Sequence, residues 1–473
     1  MKRFVRLFIS ITLFFFLAMP ATSFAKKKAD DPQVKYVFYM IGDGMGINEV
    51  MGAQFYNDAT GRGKINFLDF PVRGFVTTRS ATSYVTDSAA GGTALASGVK
   101  TYDSAIAVDM DKNPLPIITE WAKASGKGTG VITSVGINHA TPASFMVHSE
   151  DRNNYEEIAL KYIDNPVDFA AGAGFLTQRN SGHDAAYFEQ KAKDAGIKVY
   201  HGKDEWAKMS DKDSHVLCLS GKKEDALPYA IDRQADDTTL PEFVSAGISY
   251  LESKYADEGF FMMVEGGKID YAGHADDGAT CFLEVNDFAA AVDVVLDFYE
   301  RYPDETLIVI TADHETGGLM LGAGRYEMHP ERLGAQKMST DNLTRLFNST
   351  ISKENNPTWE EAKSFFREHL GLWGDVAVDR RTEQELLEIF ERNYGSSDSK
   401  EESVVNLYSS NSLLVQRAVG YLNKTAGYGW SYGSHSGSPV GLYVKGKAAE
   451  AFLPARDNTD IAPTIAKVAG YKR

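Results

Sequence analysis

The chain has 473 residues, enough for two or three average domains or for one large α/β fold. Its formal net charge of -16 at pH 7 argues against nucleic acid or anionic membranes as partners held by bulk attraction. A small anionic substrate is still compatible with this charge, because bound metal ions can reverse the local field.

The first part of the chain has the pattern of a secretory signal peptide. A basic start precedes residues 7–18, which form an almost unbroken apolar run, and small residues follow at the expected cleavage site. We therefore expect residues 1–25 to be removed. The mature chain, residues 26–473, is then expected in the periplasm or outside the cell, with no membrane span. An uncleaved N-terminal anchor is the alternative.

Between residues 34 and 320, short apolar runs alternate with helical patterns. Near-continuous apolar runs predict buried strands, at residues 34–41, 130–134, 260–265 and 306–311. Helical patterns lie between them, at residues 117–125, 240–255 and 282–302. This alternation predicts an α/β fold with a doubly wound, mostly parallel central sheet flanked by helices. In such sheets ligands collect at the carboxyl ends of the strands.

The two cysteines are Cys218 and Cys281. Cys218 lies in the apolar run 215–219, which predicts a buried strand. This context favours two buried free thiols, and a disulfide is the alternative in an exported chain.

Residues 323–428 have a different pattern, which predicts a helical insertion beside the active site of a single catalytic domain. Thr358 and Thr382 each begin a capping-box pattern that opens a helix, and Gly395 is expected to end the second helix. The pattern further predicts a polar loop, a helix and a return to the sheet, at residues 396–403, 404–422 and near 439–444 respectively.

The candidate nucleophile is Ser88, in the string of residues 86–94. Ser88 follows Asp87 and precedes small residues that can begin a helix. Backbone N–H groups at a helix start attract anions, so a serine there is well placed to attack phosphorus and to hold the captured phosphate. By itself the string fits a capped helix packed through small residues equally well.

Candidate metal ligands follow three of the predicted strands. Asp43 comes after the first strand, between glycines that let backbone and ligand approach closely. Seen alone, such an aspartate is more typical of a turn. Glu265 closes another strand, and Asp313 and His314 follow a third. At the end of a sheet these residues are plausible ligands.

Three further candidates complete the set. Asp270 and His274 are four residues apart, so one helical turn can present both to one ion. A carboxylate and an imidazole suit zinc, and the alternative is a capped helix with surface charges. His435 lies in a Gly/Ser loop, where a histidine is usually only a loop residue. It offers the nitrogen ligand that one zinc site would otherwise lack.

In their order along the chain these motifs resemble the alkaline phosphatase family, over roughly residues 34–320 and 430–467. The resemblance implies hydrolysis of phosphate monoesters through a phosphoserine on Ser88, in a homodimer that uses two zinc ions and one magnesium ion. Arg152 matches the arginine that clamps the phosphate. The implied ligands are Asp270, His274 and His435 for the first zinc, Asp43, Asp313 and His314 for the second, and Asp43, Glu265 and Thr141 for magnesium.

Two positions depart from some bacterial members of the family. His139 stands two residues before Thr141, where those members carry aspartate, and zinc is therefore an alternative to magnesium at the third site. Tyr271 stands where they carry lysine, which removes a positive group near the phosphate.

Two other functions stay open on the sequence. A related metallohydrolase of phosphodiesters or phosphonates would use the same sheet and metals, with space for a second ester group where Arg152 clamps. A metal-dependent binding protein without turnover would be favoured by a broken ligand set or a replaced serine, and the sequence has neither.

Overall fold

The computed structural model describes residues 34–178, 182–222, 225–324, 326–351, 356–395 and 400–473. The segment predicted to be a signal peptide, residues 1–25, lies outside the described residues. Of the helices in the described ranges, none combines the length and the apolar character needed to cross a membrane.

A nine-stranded sheet forms the centre of the fold, in the order β2-β15-β8-β1-β7-β3-β4-β6-β5. Strand β15 pairs antiparallel with both of its neighbours, and the other pairings in this sheet are parallel. The strands of the chain are β1 Tyr36–Gly42, β2 Val72–Val76, β3 Gly128–Thr133, β4 Phe169–Gly172, β5 Lys198–His201, β6 Val216–Leu219, β7 Phe260–Gly266, β8 Thr306–Thr311, β9 Glu315–Thr316, β10 Met320–Leu321, β11 Ser403–Val405, β12 Ser410–Ser412, β13 Tyr428–Gly429, β14 His435–Ser436 and β15 Val440–Gly446.

Helices pack against both faces of the sheet in two groups, α1, α8 and α10 in one and α2, α3, α4 and α15 in the other. The helices are α1 Ile47–Thr60, α2 Ser88–Ser97, α3 Ile118–Ala124, α4 Ala140–Ala143, α5 Tyr155–Asp164, α6 Ala185–Asp194, α7 Gly202–Trp206, α8 Leu240–Lys254, α9 Lys268–His274, α10 Gly278–Arg301, α11 Thr340–Thr350, α12 Trp359–Leu370, α13 Arg380–Tyr394, α14 Leu413–Ala426 and α15 Ile461–Ala469.

The central strands β8, β1 and β7 are buried along their whole length. Their side chains are almost all apolar, because helices cover both faces of a parallel sheet. Phe38 of β1 packs edge-on against Phe260 of β7 and Phe298 of α10, with ring centroids 5.4 and 5.2 Å apart. The strands predicted from apolar runs are thus confirmed as β1, β3, β7 and β8.

Most of the other predicted elements of the sheet region are confirmed. The three predicted helices are present as α3, α8 and α10, and α10 begins at Gly278 because Asp277 caps it. Cys218 lies in the predicted strand β6, and Cys218 and Cys281 are both buried and unpaired, so the expectation of free thiols is correct.

Between β10 and β13 the described residues form four α-helices, α11 to α14, as the helical pattern predicted. Thr358 caps α12 in a capping box, and Gly395 follows the last residue of α13, both as expected. The helix predicted at residues 404–422 is wrong at its start, because α14 begins only at Leu413. Before it, β11 and β12 form an antiparallel hairpin, with Ser403 opposite Ser412.

The capping box predicted at Thr382 is also wrong. Asp379 caps α13 instead, and its side chain accepts a hydrogen bond from the Thr382 backbone N–H. Asp379 precedes two arginines, which are good helix formers, so the helix starts one turn earlier than the threonine suggests. Of the predicted loop at residues 396–403, residues 396–399 lie outside the described part of the chain.

Asp277 joins the start of helix α11 to the start of helix α10. Its buried carboxylate caps α10 and accepts a 2.9 Å hydrogen bond from Gln336 Nε2. It also accepts a 2.8 Å hydrogen bond from the backbone N–H of Thr340, the first residue of α11. One side chain therefore holds the start of two helices from different parts of the fold.

We expect Asp277→Ala to lower the free energy of unfolding by about 3 kcal/mol, because several buried donors lose their acceptor at once. Chemical denaturation measures this loss, and limited proteolysis shows whether cleavage appears first between α11 and α14. Asp375→Ala, at an exposed site in the insertion, is the matched control and should leave both readings unchanged. Equal stability of the two variants would contradict a joining role for Asp277.

Candidate metal centre and nucleophile

Three neighbouring strands bring acidic side chains to one edge of the sheet. Asp43 directly follows β1, Glu265 lies one residue before the end of β7, and Asp313 lies two residues after β8. Strand β1 pairs with both of the other strands, with Ile41 opposite Glu265. Adjacent strands are about 4.8 Å apart, so the register places these carboxylates close together.

Helix α9 and the strand pair β9–β14 add the histidines. Asp270 and His274 lie on α9, one turn apart. Strand β14 pairs antiparallel with β9, and this brings His435 beside His314, with their rings stacked at 3.6 Å. The Nε2 atoms of His274 and His435 are 3.2 Å apart.

These residues form three buried groups in which the potential ligand atoms all lie within 4.8 Å of one another. The groups are Asp270, His274 and His435; Asp43, Asp313 and His314; and Asp43, His139 and Glu265. Thr141 Oγ1 lies 3.5 Å from Asp43 Oδ2 and therefore borders the third group. The structure thus brings together all the ligands named from the sequence, and it adds His139 to the third group.

The donor atoms of these groups fit metal ions. Asp43 Oδ1, Glu265 Oε1 and Asp270 Oδ2 are buried and make no hydrogen bond to the described residues. Buried polar atoms are ordinarily satisfied, so these unpaired atoms suit cations. All three groups combine carboxylates with imidazole nitrogen, as zinc sites do. The third also borders the hydroxyl oxygen of Thr141, which makes it the richest in oxygen.

The electrostatics of the site also favour bound cations. Burial, together with Asp313 and Asp270, raises the pKa of Asp43 well above its usual range. Burial raises the pKa of Glu265 and that of Asp313 to about 7. Burial opposes ionisation of Asp270 as well, but the imidazoles of His274 and His435 hold its pKa below the usual range. The carboxylates therefore repel one another, and this repulsion would be relieved by positive ions.

Ser88 is the first residue of α2, and Asp87 caps the helix by accepting a hydrogen bond from the Ala90 backbone N–H. Ser88 Oγ is buried and lies 3.1 Å from His314 Nε2. A Cβ atom at Gly91 would lie 3.0 Å from the Asp313 carbonyl oxygen, so the small residues let α2 approach this strand end. The packing interpretation of these small residues is therefore confirmed, and the nucleophile interpretation of Ser88 stays a prediction.

Arg152 contacts Asp87, the residue before the candidate nucleophile. It donates hydrogen bonds to Asp87 Oδ2 at 3.1 Å and to His139 Nε2 at 3.2 Å. Burial works against its charge, but Tyr408 and Asp87 raise the pKa of Arg152, which stays positively charged. The guanidinium is thereby held between the cap of α2 and the third group.

The sequence did not identify three of the residues that contact the site. Thr133 donates a hydrogen bond to Glu265, and Thr316 donates one to Asp270. Thr133 ends β3, so a search of strand ends for polar residues would have found it. Tyr408 lies between β11 and β12, and its ring stacks on Tyr271 at 3.6 Å. Nothing in the sequence pattern links these two tyrosines.

Comparison with known proteins gives one consistent result. The profile of the family described as Alkaline phosphatase matches residues 34–168 and 176–471. Alkaline phosphatase 3 of Bacillus subtilis is 31% identical, over 95% of this chain and 92% of its own length. The crystal structure of the cold-active alkaline phosphatase of Shewanella sp. superposes with a TM-score of 0.76 at 30% identity, over 92% of this chain and 99% of its own. That of Thermus thermophilus gives 0.75 at 26% identity, over 96% of each chain.

We expect the metal-free chain to be less stable at about pH 8 than at about pH 5. A carboxyl group whose folded-state pKa is raised contributes stability that is complete below its unfolded-state pKa and is lost as the pH rises through the folded-state value. For Glu265 this window runs from its ordinary value of 4.5 to about 7. Thermal unfolding after treatment with a chelator measures the difference, and added zinc should remove most of it by displacing the protons.

Glu265→Gln isolates this contribution, because it keeps the shape of the side chain and cannot ionise. Its metal-free form should lose less stability between the two pH values than the wild type does. Glu157→Gln, on the surface of α5, is the matched control and should keep the wild-type slope. An unchanged slope in Glu265→Gln would show that burial of this carboxyl is not the cause.

Proposed function

This chain belongs to the alkaline phosphatase family, and from that premise we propose that it hydrolyses phosphate monoesters to an alcohol and inorganic phosphate through a phosphoserine on Ser88. One observation carries the proposal: Ser88 Oγ lies at the N-terminus of α2, 3.1 Å from a nitrogen of His314. A nucleophile, an anion-binding helix start and a potential metal ligand thus meet at one point.

The ligand atoms support two zinc ions and a third ion that is magnesium or zinc. Asp270, His274 and His435 would hold the first zinc, Asp43, Asp313 and His314 the second, and Asp43, Glu265 and Thr141 the third ion, with His139 beside it. When bound, the two zinc ions would lower the pKa of the Ser88 hydroxyl and stabilise negative charge on the leaving oxygen.

In the first step Ser88 Oγ attacks phosphorus and the bond from phosphorus to the ester oxygen breaks. The Ser88 hydroxyl gives up its proton to water, and the alcohol takes a proton from water as it leaves. The backbone N–H groups at the start of α2 and the guanidinium of Arg152 stabilise the non-bridging oxygens. In the second step a water molecule loses a proton and attacks the same phosphorus, the bond to Ser88 Oγ breaks, Ser88 Oγ regains a proton, and inorganic phosphate leaves.

The placement of Arg152 favours monoesters over diesters. Two hydrogen bonds, to Asp87 and His139, orient the guanidinium beside Ser88. A phosphate monoester has three non-bridging oxygens, and a planar guanidinium can bind two of them. A diester would have to place the oxygen of its second ester group against the guanidinium. An ester oxygen is a poorer hydrogen-bond acceptor than a non-bridging oxygen.

We also propose the wider setting of this activity. The sequence supports export after removal of residues 1–25, and the family resemblance supports a homodimer. The mature catalytic domain, residues 26–473, carries the insertion at residues 323–428. The insertion contributes to the site, because Tyr408 contacts the ring of His274 with centroids 5.3 Å apart.

We expect Ser88→Ala to reduce the release of phosphate from an aryl monoester by about a thousandfold or more, with a small residual rate. The variant should fold and bind metal as the wild type does, but it should form no covalent phosphoenzyme. Acid quenching after incubation with labelled substrate, followed by mass spectrometry, detects the phosphoserine. Ser97→Ala, at the far end of α2, is the control. Wild-type turnover in Ser88→Ala would contradict the assignment of the nucleophile.

We expect a chelator to abolish activity and zinc to restore it, with magnesium adding to the effect. His435→Ala should retain about one zinc ion fewer per chain, because it removes a ligand of the first site only. Elemental analysis after dialysis measures the metal content, and His369→Ala, in the insertion, is the control. Equal loss of both zinc ions would show that His435 does not belong to one site.

A further inference from the structure

The hairpin β11–β12 presents Tyr408 to the metal centre. Its neighbours Val405 and Leu407 point to solvent, with 74% and 59% of their surface exposed. Tyr408 instead lies half-buried, with its ring stacked on Tyr271 at 3.6 Å and an interplanar angle of 16°. The hairpin therefore directs one aromatic side chain inwards and leaves its apolar neighbours outside.

Asn406 fixes the orientation of this turn. Its Nδ2 donates to the carbonyl oxygen of His274 at 3.3 Å, which attaches the hairpin to the end of α9. Its Oδ1 accepts hydrogen bonds from the backbone N–H groups of Tyr408 at 2.9 Å and Ser409 at 2.7 Å. The position of the Tyr408 ring thus depends on the same helix that carries the proposed zinc ligands.

The hydroxyl of Tyr408 lies beside the proposed phosphate clamp. Its oxygen is 3.5 Å from His139 Nε2, at the long limit for a hydrogen bond. Arg152 already donates to this nitrogen at 3.2 Å. The phenolic proton is therefore available to an acceptor placed next to the guanidinium, which is where the proposed mechanism puts the non-bridging oxygens.

We propose that Tyr408 is a substrate-binding residue, whose hydroxyl donates a hydrogen bond to a phosphoryl oxygen held by Arg152. This inference rests on the proposed phosphatase function and deepens it, because it assigns part of phosphate recognition to the insertion. The stacked ring of Tyr271 keeps the donor in place. The binding site is complete only when the hairpin lies against α9.

The test uses the metal-loaded full chain and inorganic phosphate as a competitive inhibitor of hydrolysis of an aryl phosphate monoester. Tyr408→Phe keeps the stacked ring and removes only the hydroxyl. A hydrogen bond to a charged group corresponds to about a tenfold change in binding, so the inhibition constant of phosphate and the KM should rise by about tenfold. The value of kcat should change by less than about threefold.

Controls separate this role from packing. Leu407→Ala alters the exposed neighbour in the same hairpin and should keep the wild-type inhibition constant. Metal content and the thermal midpoint of Tyr408→Phe should equal those of the wild type. If Tyr408→Phe binds phosphate as the wild type does while Tyr408→Ala does not, the ring acts only through packing and the proposal is overturned.

A second measurement keeps the inference apart from the proposed function. If the wild type releases no phosphate from the monoester, the proposed function fails. Calorimetric titration with inorganic phosphate then still compares wild type with Tyr408→Phe. Tighter binding by the wild type would support the assignment of Tyr408, and equal binding, or none by either protein, would overturn it.

Discussion

Four carboxyl groups lie fully buried at one edge of the central sheet, those of Asp43, Glu265, Asp270 and Asp313. Burial removes their hydration, and their mutual repulsion raises the cost of ionisation further. The imidazole of His314 does not balance this charge, since burial and His435 lower its pKa well below the usual range. Bound cations would neutralise the negative charge and coordinate the unpaired oxygens. The arrangement of the surrounding elements follows from this requirement.

The sheet meets this requirement with ligands from distant parts of the chain. Strands β8, β1 and β7 are adjacent, so acids that lie far apart in sequence come within a few ångströms. The pair β9–β14 adds His435 from beyond helices α11 to α14. Helix α2 then approaches closely enough for Ser88 to reach His314, because glycine at position 91 leaves space beside Asp313. The nucleophile and the ligands therefore depend on the same packing.

Local signals in the sequence predict several residues of this site, whereas Arg152, Thr141 and the grouping of the ligands come only from the family resemblance. An acid that follows a buried apolar run, as Asp313 does, must lie at a strand end, and the spacing of Asp270 and His274 is that of one helical turn. The hairpin at Ser403–Val405 and Ser410–Ser412 has no such run, so no local pattern indicates its strands. Strand formation there depends on the tertiary context. Tyr408 meets a ring 137 positions earlier in the chain, and no local pattern encodes that contact.

The central claim is that the buried carboxylates are arranged to bind divalent cations beside Ser88. Anomalous diffraction at the zinc absorption edge, from crystals of the zinc-loaded chain, tests it most directly. The account predicts one strong peak within the group that contains His435 and one within the group that contains His314. Strong peaks at other sites only, with none in these two groups, would contradict it.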